Sequence, residues 1–159
     1  MWKDKYDELL RDESRFLKIY NDYSDSKELE LKDEFNRYCV DYCSLLDWVE
    51  NDISNGKSIK ARVLNEPFAD ICHGISNHDK HLHITKWLEN YDSKYYRYHT
   101  PNTLASSTGL STDFNHSLYK DPGKDLITVE TEKGLFSARE IITKSREEVD
   151  SIFKNVGLL

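Results

Sequence analysis

Apolar residues recur along the first half of the chain at the spacing of helix faces. Trp2, Tyr6, Leu9, Leu10, Phe16, Leu17 and Tyr20 follow the 3.6-residue period, and charges fill the other faces. They predict a first helix that ends in the Asn/Asp/Ser cluster at 21–26. Ser26 is placed to cap a second helix from about Lys27 to Asp52. Its apolar line is Leu31, Phe35, Tyr38, Cys39, Tyr42, Leu45, Leu46, Val49 and Ile53. At 1.5 Å per residue such a helix is about 39 Å long. Asn55 and Gly56 tolerate the left-handed conformation and are read as its terminator. A third helical pattern, Ile59, Val63, Phe68, Ile71, Cys72 and Ile75, is interrupted by Pro67. It is read as two helices or as one kinked helix. Asn65 serves as the cap, and the second part runs from Glu66 to about Lys80.

Beyond residue 80 the period changes. His81–Leu88 alternates and is read as opening a strand, and Lys94–His99 as another. Thr100–Gly109 is a polar loop, Phe114–Tyr119 a short strand, and Asp121-Pro122-Gly123 a turn. Asp125–Glu132 alternates strongly, and Lys133-Gly134 folds it back onto Leu135-Phe136-Ser137 as a hairpin. Ser137, with Glu140 three residues on, makes a capping box for a last helix from Ala138 to about Asn155, ended by Gly157. The fold class is therefore α+β, mostly α. It is an up-down bundle of about four helices with a small antiparallel β insertion before the last one. One domain is expected over 1–159: helical at 1–80, β-rich at 81–136, and closed by a terminal helix at 138–156.

Composition narrows the function classes. Lys plus Arg is 22 against 29 Asp plus Glu, a net charge of −7. That excludes a general DNA coat, which needs unpaired cations facing phosphate. No stretch reaches the roughly 20 apolar residues that span a bilayer, and the N-terminus has no signal-peptide pattern. The expectation is a cytoplasmic protein with no membrane partner. Cys39, Cys43 and Cys72 are read as small buried hydrophobes, and Trp48 and Trp87 as core or interface anchors. The charge is uneven: residues 1–36 hold 11 acids against 7 Lys plus Arg, whereas Lys80, Lys86, Lys94, Arg97 and five histidines fall between positions 73 and 99. A contact with an anion such as RNA or a nucleotide is therefore expected in the 73–99 segment.

Four of those histidines, His73, His78, His81 and His83, lie within eleven residues. The simplest account is a helix end, where cationic and polar groups complement the dipole and bond the free carbonyls. A metal site would draw on His78, Asp79, His81 and His83. Its H-x-x-H-x-H spacing matches no common motif, and neither a metal nor a cofactor is assigned. Tyr91, Tyr95, Tyr96 and Tyr98 interleave with Lys94, Arg97 and His99. Such a run can stack and clamp a single-stranded nucleic acid, or it can be a strand whose alternate faces pack. Binding candidates are His73, Tyr96, Arg97 and His99.

The six residues Ser76-Asn77-His78-Asp79-Lys80-His81 resemble the motif of HEPN domains, helical bundles found in RNA-cleaving toxins and in abortive-infection and CRISPR systems. The family motif has Arg, often followed by Asn, then three residues and His near a helix end. Asn77 and His81 match, and Ser76 stands where the Arg belongs. Asp70–His81 is also similar to a stretch with an Asn-x-x-Lys-His core in uncharacterised bacterial helical proteins. The likeness covers the motif helix and the helix order, not the β insertion. It implies a bundle that dimerises, and links the chain to bacterial or phage defence. Metal-independent RNA cleavage needs an acid–base group and a cation on the phosphate. His81, Asn77, His78 and Lys80 are the catalytic candidates. Lys80 adjoins His81 and points about 100° away from it on a helix. The chain is accordingly expected to be a non-catalytic binding or regulatory protein with a protein partner or a homodimer. A metal-independent ribonuclease and a metal-binding protein through the His73–His83 cluster are the alternatives.

Overall fold

The computed structural model describes residues 1–81, 97–99, 127–131 and 133–159, with backbone alone at residues 25, 78–81 and 97–99. The expected α+β, mostly α architecture is present. In chain order the elements are α1 (Trp2–Asn21), α2 (Glu28–Asp52), α3 (Gly56–Leu64), α4 (Pro67–His81), β1 (Arg97–His99), β2 (Thr128–Thr131), β3 (Gly134–Ser137) and α5 (Ala138–Asn155).

α1 and α2 form an antiparallel hairpin. Its two ends are fixed by the Trp2 N–H donating to Asp52 Oδ2 at 2.8 Å and by the Phe16 and Phe35 rings, 6.3 Å apart. α5 returns antiparallel along α1. Phe153 meets Trp2 edge-on at 5.6 Å, Arg146 pairs with Glu13 at 2.7 Å, and the Arg139 guanidinium lies over Tyr20. Between α2 and α5 the apolar packing contains one polar seam. The Tyr38 hydroxyl, the Ser145 hydroxyl and the Ile142 carbonyl lie 3.0–3.1 Å from one another, and Tyr42 donates to the Ser145 carbonyl at 3.0 Å. Both tyrosines are fully buried, which pushes their hydroxyls above the usual phenol range. As neutral donors with partners they incur little desolvation cost. The three cysteines are free and buried, as expected.

β1, β2 and β3 make an antiparallel sheet in that order. Arg97 is opposite Glu130 and His99 opposite Thr128. The expected hairpin sets Thr131 opposite Gly134, where a φ of 130° suits glycine. Ile127 and Val129 are buried in the helical core. The Ala138 N–H donates to the Ile127 carbonyl at 2.8 Å, tying the start of α5 to the sheet. Ser137 Oγ accepts from the Glu140 N–H at 3.0 Å, the cap expected there. At the far end Gly157 takes φ 76°. Leu158 N–H reaches Phe153 O and Gly157 N–H reaches Lys154 O, a Schellman closure.

Several local expectations are corrected. Ser26 does not cap α2: residues Asp25–Lys27 form a 3₁₀ turn and Lys27 takes the N-cap position without a side-chain bond. Gly56 is not a left-handed terminator but the first residue of α3. A Cβ there would sit 2.0 Å from the Val49 carbonyl oxygen, so the tight α2–α3 junction excludes a side chain. Pro67 separates two helices, as one of the two readings held, but Asn65 closes α3 rather than opening α4. Trp48 is 41% exposed on α2, which removes the core half of its reading and leaves the interface half. The strand expected at His81–Leu88 does not begin at His81, which is the last residue of α4; residues 82–88, with His83 and Trp87, and the strand expected at 114–119 lie outside the described residues.

Candidate functional site

α4 carries the histidine motif because Phe68, Ile71, Cys72 and Ile75 recur at helical spacing and face the core. His73 and Asn77 lie four residues apart on the helix and are half-buried. Asn77 Nδ2 is 3.2 Å from His73 Nε2, a contact in which the amide donates to an unprotonated ring nitrogen. Ser76 is fully buried, and its Oγ has no hydrogen-bond partner among the described residues. The position corresponding to the motif arginine therefore points inward. His78, Lys80 and His81 occupy the last turn of α4, with His81 its final residue and His73, Asn77 and His81 at four-residue intervals along one face. Arg97 and His99 lie on β1, and Tyr96 lies outside the described residues. Of the candidates, the structure brings His73 and Asn77 into contact. No group of three or more potential metal ligands exists among the described residues.

A second constellation, which no short sequence motif marks, lies between α1 and α2. Lys5, Glu8, Arg11, Asp12, Arg15, Arg37 and Asp41 line an open groove of about 430 Å³. On α1 the positions 5, 8, 12 and 15 recur at intervals of three and four and share one face. Asp12 is 2% exposed. Its Oδ1 accepts from Arg15 at 3.0 Å, while its Oδ2 is buried with no donor against it among the described residues. Asp41, one helix away, is within hydrogen-bonding reach of that carboxyl, a contact that requires a proton between the two. Burial, then the hydrogen bond and charge of Asp41, push the Asp12 carboxyl up to about 7; Arg15 opposes this and Glu34 adds to it.

The rim is mostly paired. Lys5 bonds Glu8 at 2.6 Å, holding that carboxylate below its usual range, and Arg37 stands 3.7 Å from Glu34. Arg11 is exposed and makes no hydrogen bond or ion pair among the described residues, its charge acting on Glu8 from farther off. The groove thus sets a carboxyl pair that needs a shared proton or another donor at its floor near a guanidinium at its rim that makes no ion pair among the described residues. A signal for it existed in the sequence: Asp12 continues the buried register Leu9, Asp12, Phe16, Tyr20, a charged residue at a core-facing position.

No protein-family model matches the chain, and comparison with curated proteins and with solved structures gives no match. No helix of the described residues is long and apolar enough to cross a membrane. The fold places the chain in the broad class of mostly helical α+β bundles.

Proposed function

We propose that this chain is a non-catalytic binding or regulatory protein, a bundle resembling a HEPN domain that has lost its phosphate-clamping arginine. The burial of Ser76 carries this reading. A guanidinium at that position would enter the core among Cys72, Ile75 and their neighbours, where an unpaired charge is prohibitively costly. The backbone there is set to bury a small side chain, so the cation that phosphoryl chemistry requires has no place on this face. His73 is engaged by Asn77 within the same helix, consistent with a helix end organised by its own polar groups. The chain would meet a protein partner or a second copy, with RNA or a nucleotide held at the 73–99 segment and not cut.

The test is incubation of the intact chain and His81→Ala with labelled single-stranded RNA in the presence of a chelator. The expected result is no cleavage by either. Cleavage by the wild type that His81→Ala abolishes would overturn the reading in favour of a metal-independent ribonuclease using His81 with Asn77, Lys80 or His78.

A further inference from the structure

We infer that the groove between α1 and α2 is a binding site for a small zwitterion of the amino-acid class, its ammonium donating to the Asp12–Asp41 carboxyl pair and its carboxylate meeting Arg11. The site is independent of the α4 motif and of the reading built on it.

Three observations combine. The groove has about 430 Å³ of space, at the lower end of small-molecule sites, which run from roughly 300 to 1,000 Å³. Its floor holds the buried Asp12–Asp41 carboxyl pair, in which Asp12 Oδ2 has no donor among the described residues other than a proton shared with Asp41. Its rim holds Arg11, exposed and without a hydrogen bond or ion pair among the described residues, while the neighbouring cations Lys5 and Arg15 are bound at 2.6 and 3.0 Å. One ligand meets both needs only if it carries a donor cation and an acceptor anion a few atoms apart.

The alternatives fit less well. A metal ion would face guanidinium groups and would find no set of three ligands among the described residues. A simple amine would leave Arg11 unmet and be repelled by it. A phosphate dianion would confront Glu8, Asp41 and, from the same helix as Asp41, Glu34. An ammonium, in contrast, takes the place of the proton that otherwise lets two adjacent carboxyls coexist. Around that pair stand Arg15 on α1 and Glu34, Arg37 and Asp41 on α2. Binding therefore displaces one proton, and the affinity follows the protonation of the pair.

The experiment titrates the intact ¹⁵N-labelled chain with glycine, L-glutamine and L-arginine, and with methylamine, acetate and inorganic phosphate as controls. At least one zwitterion is expected to give saturable shifts at residues 11, 12 and 41. Methylamine and acetate should bind at least tenfold more weakly. Affinity should fall about tenfold from pH 8 to pH 6, because the floor must first give up its proton. Arg11→Ala, a change at an exposed position, and Asp12→Asn should each weaken binding at least fivefold, and Asp12→Asn should remove the pH dependence. Absence of saturation with all three amino acids overturns the proposal. So does acetate or phosphate binding as tightly as the best zwitterion, which would mark an anion site only. Full affinity in folded Arg11→Ala overturns it as well.

Discussion

Glu148 on α5 accepts the backbone N–H of Ala69 at 2.8 Å, and its other oxygen accepts that of Phe68 at 3.2 Å. The carboxylate thus does for α4 what a local Ser, Thr or Asp does for other helices. It takes up the Phe68 and Ala69 donors, the two left over because Pro67 has no N–H and the Glu66 N–H bonds the Val63 carbonyl, and sets a negative charge at the positive end of the dipole. The same device closes α1, where Asp52 at the end of α2 receives the Trp2 N–H. Both caps are long-range, so they tie helix formation to tertiary assembly.

Removing the α4 cap should therefore cost more than removing an exposed one. Glu148→Ala is expected to lower stability by about 1–2 kcal/mol, the usual range for a lost cap. Urea denaturation would show this as a lower midpoint with an unchanged slope. Glu148→Gln keeps one acceptor oxygen and should lose less.

Asp12 makes stability pH-dependent in an unusual direction. Its folded pKa of about 7 lies above its ordinary value of 3.8, so between those values the folded state binds more protons than the unfolded one. Its contribution is full below pH 4, declines as pH rises toward 7 and is lost above it. The ceiling is about 4 kcal/mol, at about 1.4 kcal/mol per pKa unit. Asp12→Asn should flatten this slope and be more stable than wild type at pH 8 but not at pH 4. Urea midpoints of both proteins at the two pH values decide it. A wild-type slope retained in Asp12→Asn would contradict the assignment.

Gly56 is required by space. An added Cβ would lie 2.0 Å from the Val49 carbonyl oxygen and 2.7 Å from Glu50 Cα, both backbone atoms. Neither can move without shifting the α2–α3 junction. Gly56→Ala, normally favourable in a helix, should instead cost more than about 2 kcal/mol. For a chain of this size that is a fall in Tm of about 4–8 °C, measurable by calorimetry.

Ser76 tests the resemblance from the opposite side. Ser76→Arg would complete the motif in sequence but insert a charge at a fully buried position. The expected outcome is loss of cooperative unfolding or of soluble protein, with destabilisation above about 4 kcal/mol. A stable, folded Ser76→Arg variant would show that the α4 face opens readily.

The architecture was legible because it is written in repeating local signals. The 3.6-residue stripes of α1 and α2, Pro67 between α3 and α4, the Lys133-Gly134 turn and the Ser137 cap each depend on residues a few positions apart. Where local reading failed, the deciding contact was distant or steric. Ser26 and Asn65 have good capping chemistry, but the α4 donors are satisfied by Glu148, 79 and 80 residues away. Gly56 looks like a turn residue in any sequence, and only the approach of the Val49 carbonyl reveals its purpose.

The candidate site divides in the same way. His73 and Asn77 were visible as an i, i+4 pair on one helix, since helical periodicity alone brings them together. The inward aspect of Ser76 and the pairing of Asp12 with Asp41 were not. Sequence by itself determined the helices, the hairpin and the core-facing stripes, because hydrophobic periodicity and turn chemistry act over one or two turns of chain. Only the tertiary structure decided which polar residues those stripes would bury together, because desolvation and charge coupling depend on distances between helices that no local pattern encodes.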